Sequence, residues 1–260
     1  MRSCRVTGVA TAPGGGSAAQ GRRLATPTEV LGHLEFPAQV WLVRFDVDGA
    51  TLSDAAECLT PAERDRSRRG TPEVHRRRVL LRAALREVVG GRLGVLPHAV
   101  PLRVTATGRP ELDGPARLDL SCSASGGIGL VAVADRAHVG VDVERVWPWS
   151  ADVLDEGWLS PEERAAIRAL YPAARAEAVS RSWTQKEAVL KGRGTGLAGG
   201  PADVPTPVGR AAGRIGGWDT CAVAVPAGHV ATVATTPWPV GHDGHPADLA
   251  EPAPSERTRP

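Results

Sequence analysis

A segment in the last third of the chain contains the residue types that phosphate and metal chemistry needs. The segment 183–197, WTQKEAVLKGRGTGL, carries Lys186, Glu187 and Lys191 in a helix-prone run that stops in glycine. Glu187 and Lys191 lie four residues apart, so they share one face of a helix. A carboxylate flanked by two ammonium groups suits a site that holds a metal and phosphate. It also suits a solvated salt-bridge face, and this segment alone does not decide between the two.

Two further carboxylates, Asp142 and Glu144, stand in the alternating run VGVDVE at positions 139–144. The alternation predicts a strand that places both carboxylates on one face. If Glu187 joins them, the three repel one another and need a compensating cation. Magnesium suits such a cluster because it is hard, prefers oxygen and is completed by water and phosphate. The alternative is that Asp142 and Glu144 are ordinary solvent-facing strand residues.

Arginine is concentrated in one part of the chain. The 260 residues carry a net charge of only +2, yet ten arginines fall between positions 64 and 92. Such a segment attracts phosphates, nucleic acid or an acidic protein. No aromatic residues are interleaved with these arginines to stack on bases, so we expect no nucleic-acid partner.

The cysteines and the N-terminus indicate a reducing compartment. Cys4, Cys58, Cys122 and Cys221 are far apart and show no CxxC spacing, which predicts free thiols. The N-terminus lacks the apolar region of a signal peptide. No run approaches the roughly 20 apolar residues that a membrane helix needs. We therefore expect a cytoplasmic protein with no membrane partner.

Helices and strands that would position these residues can be predicted from the apolar pattern. A helix should start at Thr60-Pro61, where Glu63 can close a capping box, and a longer one should span 74–89 and end at Gly90-Gly91. Its buried positions should be Val79, Leu80, Ala83, Ala84 and Leu85. A later helix is predicted over 174–191, and strands over 40–45, 102–104, 117–121, 128–134, 139–144, 220–225 and 229–234.

One hexapeptide recurs at an offset of one hundred positions. LSPEER at 159–164 echoes LTPAER at 59–64, and each combines a hydroxyl cap, a first-turn proline and a glutamate. The echo suggests two related α/β halves, although a generic helix start would give the same pattern. We expect a first half over 38–138 and a second half over 139–236 that carries the metal and catalytic motifs. Segments 1–37 and 237–260 are expected to be disordered.

The two motifs together are more specific than either alone. GVDVE at 140–144, followed by WTQKEAVLK at 183–191, resembles the signature of 4′-phosphopantetheinyl transferases. The order resembles the Sfp-type branch, in which one chain holds two similar halves. The resemblance covers about residues 40 to 234, including LSPEER and the closing GRGTGL. It implies an α/β (α+β) fold of two halves packed as an intramolecular pseudo-dimer, with the site in the cleft between them, and a monomer.

The resemblance also implies a reaction and the residues that perform it. Such enzymes transfer the phosphopantetheine arm of coenzyme A to a serine of an acyl or peptidyl carrier protein and release adenosine 3′,5′-bisphosphate. By this pattern Asp142, Glu144 and Glu187 would hold magnesium, with manganese as the alternative. Glu187 would also take the serine proton, directly or through water. Lys186 and Lys191 would bind pyrophosphate oxygens and stabilise the leaving group.

Further positions match the coenzyme A contacts of the family. Arg78 matches an arginine that meets the 3′-phosphate, and Arg66 matches a basic position at the end of the preceding helix. The turn Gly108-Arg109-Pro110 resembles a turn beside the adenine, and Ser121 matches the first serine of a strand-end LSHS motif. The acidic carrier would dock near the arginine-rich surface. Fatty-acid, polyketide and nonribosomal-peptide carriers all offer the same serine.

One position departs from the family pattern. Cys122 stands where the family usually has a histidine that donates to a coenzyme A phosphate, and a thiol is a weak, uncharged donor. Loss of a charge-assisted hydrogen bond costs on the order of 1.5–3 kcal/mol. The departure keeps an alternative open, in which the chain is a coenzyme A- or carrier-binding module that has lost turnover.

Overall fold

Two antiparallel sheets and two long helices form the framework of the protein. The computed structural model describes residues 28–31 and 37–238. The helices are α1 Gly49–Glu57, α2 Pro61–Ser67, α3 Pro72–Leu93, α4 Ala151–Leu154, α5 Pro161–Ala169 and α6 Pro172–Arg193. The strands are β1 Thr28–Leu31, β2 Ala38–Arg44, β3 Leu102–Val104, β4 Pro110–Leu112, β5 Leu118–Ser125, β6 Ile128–Asp135, β7 Ala137–Arg145, β8 Ala212–Ile215, β9 Trp218–Ala222 and β10 His229–Pro237. The predicted mixed α/β class is confirmed.

The long strands before and after residue 136 belong to two different sheets. The first sheet has the strand order β1-β2-β6-β5, the second has β7-β10-β9-β8, and β3 and β4 form a separate ribbon. Strand β6 is apolar and buried along its length except at Asp135, because it is covered on both faces. Helix α3 packs on the first sheet and α6 packs on the second.

The two sheets meet where β5 lies beside β7. Strand β7 pairs with β10 along one edge, and β5 side chains bind backbone groups of its other edge. Three β7 amides donate to these side chains: Val139 N to Asp119 Oδ2 at 2.7 Å, Val141 N to Ser121 Oγ at 3.1 Å, and Arg145 N to Ser125 Oγ at 3.1 Å. Buried amides need such partners, so the polar face of β5 completes the edge of the second sheet.

Helix α3 buries the predicted face but ends later than predicted. Its five predicted core residues are all buried. Gly90-Gly91 does not end it. The helix continues to Leu93, and Gly94, with φ +68°, takes the left-handed conformation that closes a helix. Gly90 serves packing instead, since an added Cβ would lie 2.8 Å from the Val95 carbonyl oxygen.

The hexapeptide echo corresponds to a structural echo. Thr60 with Glu63 and Ser160 with Glu163 both form capping boxes. The long helices that follow have 22 residues each and begin at positions 72 and 172. Glu63 then pairs with Arg86, and Glu163 pairs with Lys186, so each capping glutamate also binds a buried cation 23 positions later.

The remaining predictions concern residues both inside and outside the described ranges. Each predicted strand is present, although β9 ends at Ala222 and not at residue 225 as predicted. The elements α1, α4, β1, β4 and β8 were not predicted. Strand β1 lies inside the segment 1–37 that was expected to be disordered. The rest of that segment, apart from Pro37, and all of the tail after residue 238 lie outside the described residues. The division into halves at residue 138 stays a prediction. In the described ranges no helix is long and apolar enough to cross a bilayer.

Close contact between α6 and β7 explains the glycine of the GVDVE motif. A Cβ on Gly140 would lie 1.8 Å from the carbonyl oxygen of Ala188. Gly192 lies one turn after Ala188 on α6 and also has no room for a side chain, because a Cβ there would lie 2.4 Å from the Trp218 ring. Without a side chain at these positions the backbones of helix and strand approach closely enough to bring Glu187 and Asp142 together.

We predict that Gly140→Ala destabilises the protein by about 3 kcal/mol, because the backbone of α6 must move away from β7. Urea unfolding followed by circular dichroism measures the change. Gly91→Ala is the matched control, since nothing lies within 4 Å of its Cβ position in α3. It should stabilise the protein by about 0.5–1 kcal/mol. Equal stability of Gly140→Ala and the wild type would contradict the close packing.

Candidate active site

Asp142 and Glu144 lie where β7 meets β5, and both are held by serines of β5. Asp142 is 2% exposed, and its Oδ1 accepts hydrogen bonds from Ser123 Oγ at 2.7 Å and from Lys191 Nζ at 2.5 Å. Glu144 Oε2 accepts a hydrogen bond from Ser125 Oγ at 2.8 Å. Lys191 Nζ also donates to Ser123 Oγ at 3.0 Å, so helix α6 is tied to both strands.

Glu187 joins this cluster from α6, and the cluster carries excess negative charge. Burial raises the pKa of Glu187, and the nearby Asp142 and Glu144 raise it further, while Lys191 opposes the rise. Burial, followed by the charge of Asp142, likewise raises the pKa of Glu144. Burial lowers the pKa of Lys191, yet the pKa is raised because Asp142, Glu187 and Glu144 together outweigh burial. One ammonium therefore faces three carboxylates.

The carboxylate oxygens fit a divalent cation. Asp142 Oδ2 and Glu187 Oε1 are buried and have no hydrogen-bond partner. Buried acceptors without partners are costly, and a hard cation that prefers oxygen ligands would satisfy them. Across residues 28–31 and 37–238, no three His, Cys, Asp or Glu side chains form a ready-made metal site. The cation would therefore depend on substrate oxygens as well as on these carboxylates.

The structure does not bring Lys186 to the carboxylates. Its side chain is 0% exposed, and its Nζ donates to Glu163 Oε2 at 2.8 Å and to the carbonyl oxygens of Val204 and Pro201 at 2.7 and 3.0 Å. An ammonium has three donors, and all three are used. Adjacent residues of a helix point in different directions, which separates Lys186 from Glu187. The expected contact of Lys186 with phosphate does not fit this geometry.

A cleft of about 500 Å³ lies against α3, between that helix and the turn at Gly108. It is lined by Arg66 and Arg78, two of the predicted coenzyme A contacts, and by two further arginines, Arg77 and Arg82. A smaller cavity of about 130 Å³ is lined by Lys191 and Ser121. The two share three lining residues, Gly108, Pro110 and Cys122. The arginine-lined cleft and the cavity at Lys191 therefore adjoin the same wall.

Arg109 forms a buried ion pair, while its Nε and Nη1 have no hydrogen-bond partner. Its Nη2 lies 2.7 Å from both carboxylate oxygens of Asp119 and 3.0 Å from the Val139 carbonyl oxygen, and the side chain is buried. Burial raises the pKa of Asp119, yet the pKa is lowered because Arg109, His138 and the Val139 amide together outweigh burial. Gly108, with φ +87°, makes the turn that precedes this ion pair.

Cys122 is a half-buried free thiol on the wall that the two cavities share. Burial raises its pKa to about 11, so the sulfur is neutral near pH 7. Cys58 and Cys221 are also free, as the spacing predicted, and Cys4 lies outside the described residues. A neutral thiol cannot provide the charge that a phosphate contact gains from histidine.

Ser123 and Ser125 contact the carboxylates, yet they are absent from the residues expected from sequence. A signal for them exists. From Asp119 to Ser125 every second residue is polar, in a strand that also carries Leu118 and Leu120. A polar face on a strand next to a buried one indicates that its hydroxyls bind a neighbouring element.

Comparison with known proteins agrees with the motifs. A family model for the 4′-phosphopantetheinyl transferase superfamily matches residues 138–217, which include β7 and α6. The 4′-phosphopantetheinyl transferase HetI of Nostoc sp. is 32% identical over 164 residues, covering 61% of this chain and 69% of the relative. The chain belongs to the 4′-phosphopantetheinyl transferase superfamily. The expected family and enzyme class are confirmed, and the family uses coenzyme A as substrate.

Two further relatives carry the same description. A putative 4′-phosphopantetheinyl transferase of Synechocystis sp. is 28% identical over 168 residues, which is 62% of this transferase and 67% of the relative. A 4′-phosphopantetheinyl transferase of Bacillus subtilis is 28% identical over 105 residues, or 40% of this chain and 46% of the relative.

We predict that Lys186→Met lowers the free energy of unfolding by about 3–5 kcal/mol, because it leaves the buried Glu163 carboxylate without its cation. Arg181→Met is the matched control on the same helix. Arg181 pairs with the exposed Glu177, so its loss should cost less than about 1 kcal/mol. Urea unfolding compares the two. If Lys186→Met were as stable as the wild type but bound coenzyme A more weakly, the result would support the phosphate contact that the sequence predicted for Lys186.

Proposed function

We propose that this chain transfers the 4′-phosphopantetheine arm of coenzyme A to a serine hydroxyl of an acyl or peptidyl carrier protein. The observation that supports this most strongly is that the arginine-lined cleft shares a wall with the cavity at Lys191, whose amine binds Asp142. Coenzyme A combines a phosphorylated nucleotide with a pyrophosphate, so it needs cations at both ends of such a space.

In the reaction, the serine oxygen forms a bond to the phosphorus that carries the pantetheine arm. The bridging bond of the pyrophosphate breaks, and adenosine 3′,5′-bisphosphate leaves with the bond's electron pair. Glu187 takes the serine proton, directly or through water. Its raised pKa suits this role, because a base works best when its pKa approaches the working pH.

Lys191 neutralises the charge that develops on the leaving phosphate. Its pKa is raised, so the amine stays protonated at neutral pH. The amine donates to Asp142 and Ser123, and Lys191 lines the smaller cavity. Only a short movement would then bring it to a pyrophosphate oxygen, and such positioned cations supply most of the catalysis in phosphoryl transfer.

Magnesium is the proposed metal, with manganese as an alternative. Asp142, Glu144 and Glu187 would hold it, with the two partnerless oxygens of Asp142 and Glu187 as its first ligands. When bound, the ion would neutralise the carboxylates and polarise the pyrophosphate. Ser123 and Ser125 keep Asp142 and Glu144 oriented for this task.

The cleft would bind the nucleotide part of coenzyme A. Arg78 and Arg66 are exposed on its wall and would meet the 3′-phosphate. The backbone of the 108–110 turn would lie beside the adenine, and Ser121 would face the pyrophosphate. Arg109 would act through this turn, which its ion pair with Asp119 holds in place.

The carrier would dock beside the cleft, on the arginine-rich surface and on exposed aromatic residues of the second half. Tyr171, directly before α6, is 87% exposed, and Trp147 is 51% exposed with Arg145 stacked over its ring. Acidic surface on the carrier would complement the arginines. We expect the protein to act as a monomer in the cytoplasm.

Intact-mass spectrometry of an apo carrier incubated with the protein, coenzyme A and magnesium tests this function. The carrier should gain about 340 Da, the mass of one phosphopantetheine arm. Glu187→Gln and removal of metal by a chelator should each lower the rate by at least about 100-fold. Glu177→Gln, on the exposed face of the same helix, should keep full activity. No gain with fatty-acid, polyketide or nonribosomal-peptide carriers, in folded protein that binds coenzyme A, would favour the binding module without turnover.

A second test concerns the 3′-phosphate. Arg78→Gln should raise KM for coenzyme A about tenfold or more, because one charge-assisted contact is lost. The same variant should leave KM for 3′-dephospho-coenzyme A nearly unchanged, since that substrate lacks the phosphate that Arg78 would meet. Steady-state kinetics with both substrates measures the difference. An equal effect on the two would show that Arg78 does not contact the 3′-phosphate.

A further inference from the structure

Arg82 occupies a position in the cleft that the family motifs do not point to. It lies one helical turn after Arg78 on α3, so the two share a face of the helix. Both line the 500 Å³ cleft, as does Cys122 from β5. Arg78 is bound at the α2 end, where its Nη1 donates to the carbonyl oxygens of Arg66 and Arg69. Arg82 therefore stands deeper along the same wall.

The hydrogen bonding of Arg82 is incomplete. Its Nε lies 3.5 Å from Glu63 Oε1, whereas Arg86 binds both oxygens of that carboxylate at 2.8 and 3.0 Å. Glu63 thus lies near the guanidinium groups of both Arg82 and Arg86, and its single negative charge can neutralise only one of them. The Nη1 atom of Arg82 is buried and has no hydrogen-bond partner. A charged donor in this state is prepared for an anion that enters the cleft.

Cys122 and Arg82 are electrostatic neighbours. Burial raises the pKa of the Cys122 thiol, and three cations oppose the rise, with Arg82 first, then Lys191 and Arg109. Two of these, Arg82 and Lys191, belong to different halves and line the two cavities that meet at Cys122. An anion placed at this wall would lie between them.

We propose that Arg82 donates to the pyrophosphate of coenzyme A and supplies the positive charge that residue 122 lacks in this chain. The inference rests on the proposed function and adds a ligand to the same site. Arg82 acts from the α3 side and Lys191 from the α6 side, so the pyrophosphate is clamped between the halves. A guanidinium with a free edge is well suited to this, since it can bind two phosphate oxygens at once.

Calorimetric titration of coenzyme A into Arg82→Gln tests the proposal. We expect a Kd at least about tenfold higher than that of the wild type, as for loss of one charge-assisted contact. The loss should be as large for 3′-dephospho-coenzyme A, because that ligand retains the pyrophosphate. Arg92→Gln is the matched control, since it removes the same charge from α3 outside the cleft lining, and its Kd should equal that of the wild type.

Rescue at position 122 provides a second, more specific test. Cys122→His in the Arg82→Gln background should recover most of the lost affinity below pH 6.5, where an ordinary histidine is protonated. The same change in the wild type should have little effect, because Arg82 already supplies the charge. If Arg82→Gln does not fold, as judged by circular dichroism, Arg82→Lys replaces it, with an expected loss of about threefold from the missing fork of donors.

The outcomes separate the inference from the proposed function. An unchanged Kd for folded Arg82→Gln, or a loss that disappears with 3′-dephospho-coenzyme A, would overturn the role of Arg82 at the pyrophosphate. Phosphopantetheinylation by the wild type would still stand in either case. If the wild type neither binds coenzyme A nor modifies a carrier, the proposed function fails, and the inference fails with it.

Discussion

The second sheet depends on side chains to complete one of its edges, and this constraint fixes the site. Strand β7 has a backbone partner on one side only, and Asp119, Ser121 and Ser125 of β5 accept its amides on the other. A strand that must satisfy these amides has to carry short polar residues at alternate positions. The same alternation brings Ser123 and Ser125 against Asp142 and Glu144. The contact that joins the halves therefore also orients the carboxylates.

The two halves have similar helices and capping boxes, but they contribute different charged residues to the site. In each, a capping glutamate binds a buried cation of the following long helix, through Glu63 with Arg86 and Glu163 with Lys186. The second half adds Glu187 and Lys191 on the face of α6 that meets β7, whereas the first half adds the cleft arginines. The second half thus contributes a negatively charged cluster to the site, and the first half contributes the positively charged arginines of the cleft. Such polarity suits a ligand with several phosphates and a metal between them.

Patterns local in sequence were predictable, and directions of side chains were not. The capping boxes, the core face of α3 and the shared face of Asp142 and Glu144 follow from spacing alone. Gly90-Gly91 was misread as a helix end, because packing beneath Val95 requires a small residue inside the helix. Lys186 and Arg109 were assigned to the ligand from the family resemblance, although the distant Glu163 and Asp119 carboxylates bind these two side chains. Sequence spacing does not reveal contacts of this kind until the topology is known.

The central claim is that transfer takes place where the two halves meet. A crystal structure of the protein with coenzyme A and manganese tests it most directly, because anomalous scattering locates the metal without a model of the site. We predict that manganese binds among Asp142, Glu144 and Glu187, with the pyrophosphate beside it. Lys191 should have moved from Asp142 to a phosphate oxygen. Manganese or pyrophosphate bound elsewhere, with Lys191 still on Asp142 in the complex, would contradict the account.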